Sequence, residues 1–460
     1  MRRITVVLVL VLAAAVWPAT RGLADPSTTT QAAANGSLQA DFDNDGFPDL
    51  AIGVVGEDVG TEGAVNVLYG STGGLTGVGG QFFTQDSPGV PGAAEPDDGF
   101  GRALAVGDFD RDGFADLAVG VLDEDVGTIA DAGAVHVLYG TAGGLTGTGS
   151  QLFTQNSPGV GSAAEPDDSF GYALAARDFD SEGFADLAIG APGEDVGTLD
   201  RGGAVNILPG SAGGLTGTGS QLFTQGTPGV PGGTELGDNL GLALTSDDFN
   251  SDSFADLAIG SAEDVGTVED AGAVNVLPGS AGGLTGTGSQ LFTQNSPGVP
   301  GDPEENDGFG FGALATGDFD RDSFADLAIG VSEDVDTISG AGTVVVLPGS
   351  AGGLTGTGSQ LLTQDTPGVP GGAELLDIFG SALASGDFNS DSFADLAVGV
   401  LGEDVDTFQD AGAVNVLPGS AGGLTGVGGQ LFTQDSPGVP DSVEFDDFFG
   451  NALAASGPSD

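Results

Sequence analysis

The sequence repeats itself with a period of about 70 residues. The pattern Phe-x-Asp-Leu-Ala recurs with its aspartate at positions 49, 116, 186, 256, 326 and 395, so successive copies are 67, 70, 70, 70 and 69 residues apart. A Gly-rich tract, first present at residues 70–75, returns in every copy, as does a short run such as Gln151–Gln155. Six units therefore fill the chain between about residues 40 and 456. A fixed period of this size indicates a repeat architecture.

Each unit contains four short apolar segments separated by Gly, Pro, Ser or Asp. In the second unit these strand candidates are Ala103–Gly107, Asp116–Val121, Ala134–Tyr139 and Ser150–Gln155. Helical periodicity flanked by caps is missing from every unit. Four strands repeated six times predict an all-β fold, a six-bladed β-propeller of four-stranded antiparallel blades. A string of independent small β-domains is the alternative, but such small sheets can hardly bury their faces.

The two ends of the chain predict how the ring closes. Residues Phe449–Ala454 repeat the start of a unit and no more, whereas the first unit begins essentially at Asp41 and lacks that segment. We therefore expect a C-terminal strand to complete the first blade and remove its exposed edge. A seven-bladed ring with one incomplete blade, or a truncated chain, remains open. The expected division is a signal peptide at 1–24, a short linker at 25–36 and the propeller at 37–460.

The N-terminus predicts export. Arg2 and Arg3 precede the apolar stretch Ile4–Trp17, and Gly22-Leu23-Ala24 supplies small residues for cleavage. The stretch is shorter than the roughly 20 residues of a membrane span. We expect a secreted, extracellular protein without membrane insertion. The chain has 8 basic and 67 acidic residues and a formal charge of −59, which makes nucleic acid and anionic membranes poor partners.

An acidic loop, D-x-D-x-D-G-x-x-D in its fullest form, lies between the first two strands of every unit. Oxygen donors at alternate positions of a curling loop can converge on one point, and the acid at position nine can close the shell. The predicted metal ligands, at positions one, three, five and nine of the six loops, are Asp41, Asp43, Asp45 and Asp49; Asp108, Asp110, Asp112 and Asp116; Asp178, Asp180, Glu182 and Asp186; Asp248, Asn250, Asp252 and Asp256; Asp318, Asp320, Asp322 and Asp326; and Asp387, Asn389, Asp391 and Asp395.

Calcium is the predicted ion, with about six bound per chain. Ca²⁺ takes six to eight oxygens in irregular geometry, whereas Mg²⁺ prefers fewer protein ligands and strict octahedral geometry. The chain has no cysteine and one histidine, which argues against zinc or copper. Asn250 and Asn389 each remove a charge, and Ser253, Ser323 and Ser392 replace the glycine at position six. We expect weaker binding in those three loops.

These motifs resemble FG-GAP repeats, best known from the N-terminal propellers of integrin α subunits. Phe-Gly pairs stand at residues 100–101, 170–171, 379–380 and 449–450, in phase with the acidic loops, and Gly190-Ala191-Pro192 preserves the second half of the motif. The fourth unit has Leu240-Gly241 instead, and Phe309–Gly312 is irregular by one residue. The resemblance implies calcium in hairpin loops on one propeller face and partner binding on the opposite face. The free-standing chain is similar to secreted bacterial versions.

The resulting functional hypothesis is a calcium-binding scaffold for binding or cell adhesion. A protein or carbohydrate ligand would contact the face opposite the calcium loops, where the blade connections vary most and where Phe445, Phe448 and Phe449 could anchor it. The alternative is a calcium-dependent hydrolase with a propeller fold. His136 is the one histidine, and it occupies a strand position that other units fill with asparagine, as at Asn206 and Asn275. We identify no catalytic constellation.

Overall fold

The computed structural model describes residues 32–33, 40–54, 63–335, 337–437, 439, 443–444 and 447–453. The predicted signal peptide lies outside the described residues. Within them the structure contains strands and no helices, and consequently no helix with the length and apolarity that a membrane crossing requires. The propeller predicted from the repeat is confirmed: six sheets follow one another along the chain, one for each unit.

In the described residues, twenty-four strands make up the sheets. A two-residue strand, β1 (Ala32–Ala33), pairs in parallel with the second sheet, so that Ala32 lies opposite Leu104. In chain order the other strands are β2 (Leu50–Val54), β3 (Ala64–Tyr69), β4 (Thr76–Phe83); β5 (Phe100–Gly107), β6 (Asp116–Val121), β7 (Ala134–Tyr139), β8 (Thr146–Phe153); β9 (Leu174–Arg177), β10 (Asp186–Ala191), β11 (Ala204–Leu208), β12 (Gln221–Phe223); β13 (Leu244–Asp247), β14 (Asp256–Ser261), β15 (Ala273–Leu277), β16 (Gln290–Phe292); β17 (Leu314–Gly317), β18 (Asp326–Val331), β19 (Thr343–Leu347), β20 (Gln360–Leu362); and β21 (Phe379–Gly386), β22 (Asp395–Val400), β23 (Ala413–Leu417), β24 (Gln430–Phe432).

Five blades have four strands in sequential antiparallel order, and the first blade has three within the described residues. Within that part of the chain, no strand pairs with β2 in the position that β5 takes beside β6. The bounds of β6 and β7 agree with the sequence prediction. Strand β5 begins at Phe100 rather than Ala103, because Phe100 pairs with Val121 across a bulge. Strand β8 is shifted to Thr146–Phe153.

The hydrophobic core lies between neighbouring blades. One cluster joins Val135 and Phe153 of the second blade to Phe170, Leu187 and other side chains of the third. Clusters of the same kind join blades one and two, three and four, four and five, and five and six. The second strand of each blade from the second to the sixth (β6, β10, β14, β18 and β22) is buried along its whole length. This burial on both faces is why these strands, after their initial aspartate, do not alternate between apolar and charged residues.

The phenylalanine of each Phe-Gly pair docks onto the preceding blade. The Phe170 N–H donates a hydrogen bond to the Ala132 carbonyl oxygen over 2.9 Å. Gly133 makes this approach possible: its φ is +78°, and a Cβ there would lie 2.4 Å from the Phe170 nitrogen. Phe449 repeats the docking, since its N–H donates to the Ala411 carbonyl over 2.9 Å.

The closing strand predicted at the C-terminus is only partly described. By analogy with β9, which begins four residues after Phe170, that strand would start at Leu453, and residues from Ala454 onward lie outside the described part of the chain. The cluster around Phe449 contains side chains of the sixth blade and the C-terminal segment. Closure of the first blade by this segment stays a prediction.

Candidate metal centres

All six acidic loops have the same backbone path, which the repeated hydrogen bonds fix. The carboxylate at position one accepts bonds from the N–H groups of positions five and six; at Asp108 both distances are 3.1 Å. In the first five loops the residue at position three accepts from the position-five N–H, over 3.1 Å at Asp110. Short polar side chains at alternate positions therefore bend the loop inward, as asparagine and aspartate do in turns.

Position six has a left-handed backbone in every loop. The φ angles are +87°, +92° and +93° at Gly46, Gly113 and Gly183, and +75°, +77° and +73° at Ser253, Ser323 and Ser392. Serine thus adopts the conformation that glycine adopts in the other loops. The left-handed region is unfavourable by about 1–2 kcal/mol for a residue with a Cβ, so these three loops carry local strain and keep their shape.

The aspartate at position nine ties the loop to the rest of its blade. In the second loop, Asp116 accepts from the Phe109 N–H over 2.9 Å and from the Gly140 N–H over 2.9 Å. The same two bonds recur in the other loops, at Asp49, Asp186, Asp256, Asp326 and Asp395. The sequence predicted this aspartate as the ligand that completes the metal site. The structure adds a second role, because its two hydrogen bonds join the acidic loop to the connection between strands three and four of the same blade.

The structure brings together carboxylates in four of the six loops. In each set the ligand atoms lie within 4.8 Å of one another, and the sets are Asp41, Asp43 and Asp45; Asp108, Asp110 and Asp116; Asp178, Asp180 and Asp186; and Asp318, Asp320 and Asp326. The predicted ligands at position five, Asp112, Glu182 and Asp322, are exposed and outside these sets, and Asp49 is outside the first. Loop five keeps its cluster despite Ser323.

In the fourth and sixth loops an asparagine side chain takes the place of one carboxylate. Asn250 Nδ2 donates to Asp256 Oδ2 over 3.3 Å, and Asn389 Nδ2 donates to Asp395 Oδ1 over 3.1 Å. The remaining predicted ligands of these loops, Asp248, Asp252, Asp387 and Asp391, have the same backbone partners as in the other loops. These two loops hold an internal hydrogen bond where the other four place carboxylates beside each other.

The clustered carboxylates are electrostatically unfavourable without a compensating charge. Burial, with the negative charges of Asp110 and Asp108, raises the pKa of Asp116 to about 8, although its two backbone hydrogen bonds oppose the shift. Burial likewise raises the pKa of Asp49 to about 6 and those of Asp186, Asp256 and Asp326 to about 7. The nearby Arg111 donates to the Glu182 carbonyl oxygen over 3.1 Å, not to a clustered carboxylate. Each cluster therefore favours a proton or a cation.

Sequence reasoning missed the role of the phenylalanine at position two. Phe42, Phe109, Phe179, Phe249 and Phe319 are fully buried. Four of their carbonyl oxygens accept a hydrogen bond from the strand three–four connection of the next blade. That of Phe42 accepts from the Thr141 N–H over 3.2 Å and that of Phe109 from the Ser211 N–H over 3.1 Å, and those of Phe249 and Phe319 do the same. These bonds join the acidic loop of one blade to the strand three–four connection of the next blade. The signal was present in the sequence, because phenylalanine occupies position two of every loop.

Two candidate residues outside the loops are buried. His136 has no exposed surface, packs edge-on against Phe100 with ring centroids 5.5 Å apart, and has no hydrogen-bond partner at either ring nitrogen. Phe449 is 6% exposed and belongs to a core cluster, so the prediction that it anchors a ligand does not agree with the structure. Phe448 is 39% exposed, and Phe445 lies outside the described residues.

Comparison with known proteins agrees with this architecture. The sequence model of the FG-GAP repeat family matches residues 100–138, 170–208, 311–347 and 379–417. Phosphatidylinositol-glycan-specific phospholipase D of Rattus norvegicus is 34% identical over 167 residues, which is 35% of this chain and 19% of that protein. Integrin alpha-3 of Cricetulus griseus is 29% identical over 192 residues, 40% of this chain and 16% of that protein. The matched region is thus less than one fifth of either relative.

Among solved structures, rhamnogalacturonan lyase YesW aligns with 79% of this chain and 58% of its own, at 12% identity and a TM-score of 0.37. The matched FG-GAP units coincide with blades two, three, five and six, and each includes strands one to three with the acidic loop between the first two. The chain therefore contains FG-GAP repeats in these four blades.

Proposed function

We propose that this protein is an extracellular calcium-binding propeller that acts as a scaffold for binding or adhesion. The observation that carries the proposal is the set of carboxylates clustered within 4.8 Å in loops one, two, three and five. Each cluster offers only oxygen ligands in a loop of irregular geometry, which suits Ca²⁺. An ion there would offset the repulsion between the carboxylates and fix a loop that is bonded to its neighbouring blade.

Occupancy should differ between loops according to the residue at position three. Loops one, two, three and five have Asp43, Asp110, Asp180 and Asp320 there, and we propose these as the stronger calcium sites. Loops four and six have Asn250 and Asn389, whose amides already bond the position-nine carboxylate. Ser323 reproduces the backbone of Gly113. We therefore place loop five with the strong sites, in contrast to the expectation from sequence.

Partner binding is proposed for the face opposite the calcium loops. The blade connections there expose Leu236, Leu375, Leu376 and Phe448, with exposed fractions of 71%, 67%, 55% and 39%. These side chains offer apolar contact surface in loops that vary between the blades. A protein or carbohydrate ligand is the proposed partner. Export through the predicted signal at residues 1–24 would place the propeller outside the cell.

A hydrolytic function is the second candidate, because one group of relatives carries the name phospholipase D. The structure gives little support for His136 as a catalytic base, since its side chain is buried and burial lowers its pKa to about 4. Screening ester and glycoside substrates with the native chain and with His136→Asn tests this candidate. An activity that the native chain has and the variant lacks would favour the enzyme.

Calorimetric titration of Ca²⁺ into chelator-treated protein tests the scaffold proposal. We expect binding in at least two affinity classes, with the tighter class assigned to the four all-carboxylate loops. The variants Asp110→Asn and Asp320→Asn should each remove heat from the tighter class, whereas Asp112→Asn, at an exposed position five, should change it little. Absence of calcium binding at millimolar concentration in a folded protein would refute the proposal.

A further inference from the structure

A second acidic motif recurs at the junctions between blades, on the face opposite the calcium loops. It combines a glutamine that follows strand four of one blade, an aspartate in the connection to the next blade, and a glutamate that follows strand two of that next blade. We call these sets the junction nests. They consist of Gln85, Asp98 and Glu124; Gln155, Asp168 and Glu194; Gln225, Asp238 and Glu263; Gln294, Asp307 and Glu333; and Gln364, Asp377 and Glu403.

Hydrogen bonds hold the three residues of a nest in one place. Gln155 Nε2 donates to Glu194 Oε2 over 2.6 Å, and Gln364 Nε2 donates to Glu403 Oε2 over 2.6 Å. The aspartate is anchored through its backbone: the Asp168 carbonyl accepts from the Gly193 N–H over 3.2 Å. Because Gly193 directly precedes Glu194, this bond brings the aspartate and the glutamate of different segments together.

Each nest has a buried glutamine oxygen that lacks a donor, and two of the nests also have a buried aspartate oxygen that lacks one. Asp168 Oδ2 accepts from the Glu165 N–H over 2.6 Å, but Asp168 Oδ1 has no partner, and the same holds for Gln155 Oε1. In the nest between blades five and six, Asp377 Oδ1 and Gln364 Oε1 are likewise unpartnered. The exposed fractions of Asp168, Gln155, Asp377 and Gln364 are 1%, 1%, 0% and 2%. Leaving such acceptors without a partner is unfavourable.

The two carboxylates of each nest also face one another electrostatically. Burial, and after it the charge of Asp168, raises the pKa of Glu194 to about 7. Burial raises the pKa of Glu403 to about 7 as well, and Asp377 is again the strongest charged contributor. His136 lies beside the first nest, since a Cβ on Gly92 would be 3.5 Å from His136 Cε1 and 3.9 Å from Gln85 Nε2, and burial lowers the pKa of His136 to about 4. The described interactions of Arg111 and Arg177 are with Glu182, Phe184 and Asp247. Within the described part of the chain, none of these contacts brings a cationic side chain to the nests of Asp168 and Asp377.

We propose that the nests formed by Gln155, Asp168 and Glu194 and by Gln364, Asp377 and Glu403 each bind a divalent cation of the calcium class. The ion would be held by the free aspartate oxygen and the glutamate carboxylate. A half-turn of the glutamine amide would direct its oxygen to the same point, and water would complete the shell. These sites are distinct from the acidic loops, since strand β10 separates Asp186 from Glu194. Because its ligands come from two blades, each ion would link neighbouring blades.

The test is the number of calcium ions bound per chain, measured by equilibrium dialysis of the full chain against Ca²⁺ with metal analysis. The variant is Glu194→Gln with Glu403→Gln, which keeps side-chain size and removes one charge from each nest. The control is Asp200→Asn with Asp406→Asn, two exposed acids on the same connections as the nest glutamates. We expect the nest variant to bind two ions fewer than the native chain and the control to bind the native number.

An unchanged count in the nest variant would overturn the proposal. Asp110→Asn distinguishes this failure from failure of the acidic loops. If Asp110→Asn binds one ion fewer while the nest variant binds the native number, the acidic loops bind calcium and the nests do not. If stability in chelator depends on pH while the calcium count is unchanged, a proton bridges the carboxylates and the proposal is wrong. Should the glutamine variant not fold, Asp168→Asn with Asp377→Asn tests the same loss, since asparagine keeps an oxygen for the backbone bond.

Discussion

The second and fourth blades have the same strand order, yet they differ at three informative positions. Asp110, Gly113 and His136 of the second blade correspond to Asn250, Ser253 and Asn275 of the fourth. Asp110 adds a carboxylate to a cluster with Asp108 and Asp116, whereas Asn250 donates a hydrogen bond to Asp256 over 3.3 Å. Asn275 likewise finds a partner, the Pro231 carbonyl at 2.9 Å, and His136 has none.

The comparison shows two ways to make the same loop stable. An amide supplies a donor to the position-nine aspartate, and the loop needs no added charge at that point. A carboxylate in the same place cannot donate, so the loop relies on a cation or a proton. We therefore expect the residue at position three to set how strongly a loop depends on a cation. Burial still raises the pKa of Asp256 to about 7 in the fourth loop, so the asparagine reduces that dependence and does not abolish it. The following experiments are ordered from the largest expected effect to the smallest.

Removal of divalent cations should have the largest effect. Each occupied site stabilises the folded state by roughly 2.7 kcal/mol when the ion is present at about 100 times its Kd. Several all-carboxylate loops act together, so we expect calcium to raise the Tm by roughly 10 °C over chelator-treated protein. Thermal melts monitored by circular dichroism measure this difference. A Tm that is the same with calcium and with chelator would contradict the view that the second blade depends on an ion.

Acidification should reveal the cost of burying His136. Burial lowers its pKa from 6.5 to about 4, so the folded state binds the proton more weakly than the unfolded state. The stability that this residue contributes is complete above pH 6.5 and is lost as the pH falls toward 4, to a total of about 3 kcal/mol. Between pH 7 and pH 5, the free energy of unfolding of the native protein should fall by about 2 kcal/mol more than that of His136→Asn. Denaturant unfolding curves at the two pH values measure this difference. An equal pH dependence of both proteins would show that His136 is not buried in neutral form.

Exchange of the position-three residue should convert one type of loop into the other. Asp110→Asn removes a buried like charge and adds a donor toward Asp116, so in chelator we expect stabilisation by about 1 kcal/mol. In calcium the same variant should lose roughly 2 kcal/mol of ion-dependent stability. The reciprocal Asn250→Asp is the matched control and should show the opposite signs. Unfolding curves with and without Ca²⁺ measure the free energy of unfolding of both variants. If a variant changes this free energy equally in the two conditions, the residue at position three does not affect metal binding.

Exchange at position six should have the smallest effect. Gly113→Ser places a side chain at a φ of +92° and should destabilise by about 1 kcal/mol. Ser253→Gly relieves the same strain at a φ of +75° and should stabilise by somewhat less, because glycine loses more conformational freedom on folding. Calcium affinity should change little in either variant, because the serine loops already follow the glycine path. A large loss of affinity in Gly113→Ser would restore the sequence-based prediction that serine weakens a site.

Much of the architecture could be predicted because the repeat copies a physical pattern six times. The bounds of β6 and β7 agree with the prediction, since these apolar segments end at turn residues. The predicted ligands Asp108, Asp110 and Asp116 lie together, since their spacing curls the loop inward. Phe449 was assigned less well, because exposure and burial depend on what packs against a residue. The role of the position-five acids as metal ligands stays a prediction.

By itself, the sequence determined the period, the strand order, the acidic loops and the likeness to FG-GAP repeats, because these are local patterns repeated along the chain. The tertiary structure alone decided which oxygens meet. It turned the Asn250 amide toward Asp256, engaged both oxygens of Asp116 with backbone donors, and placed Asp168 beside Glu194 across a blade junction. Such contacts join residues that are distant in sequence, and only the packing of one blade against the next brings them together.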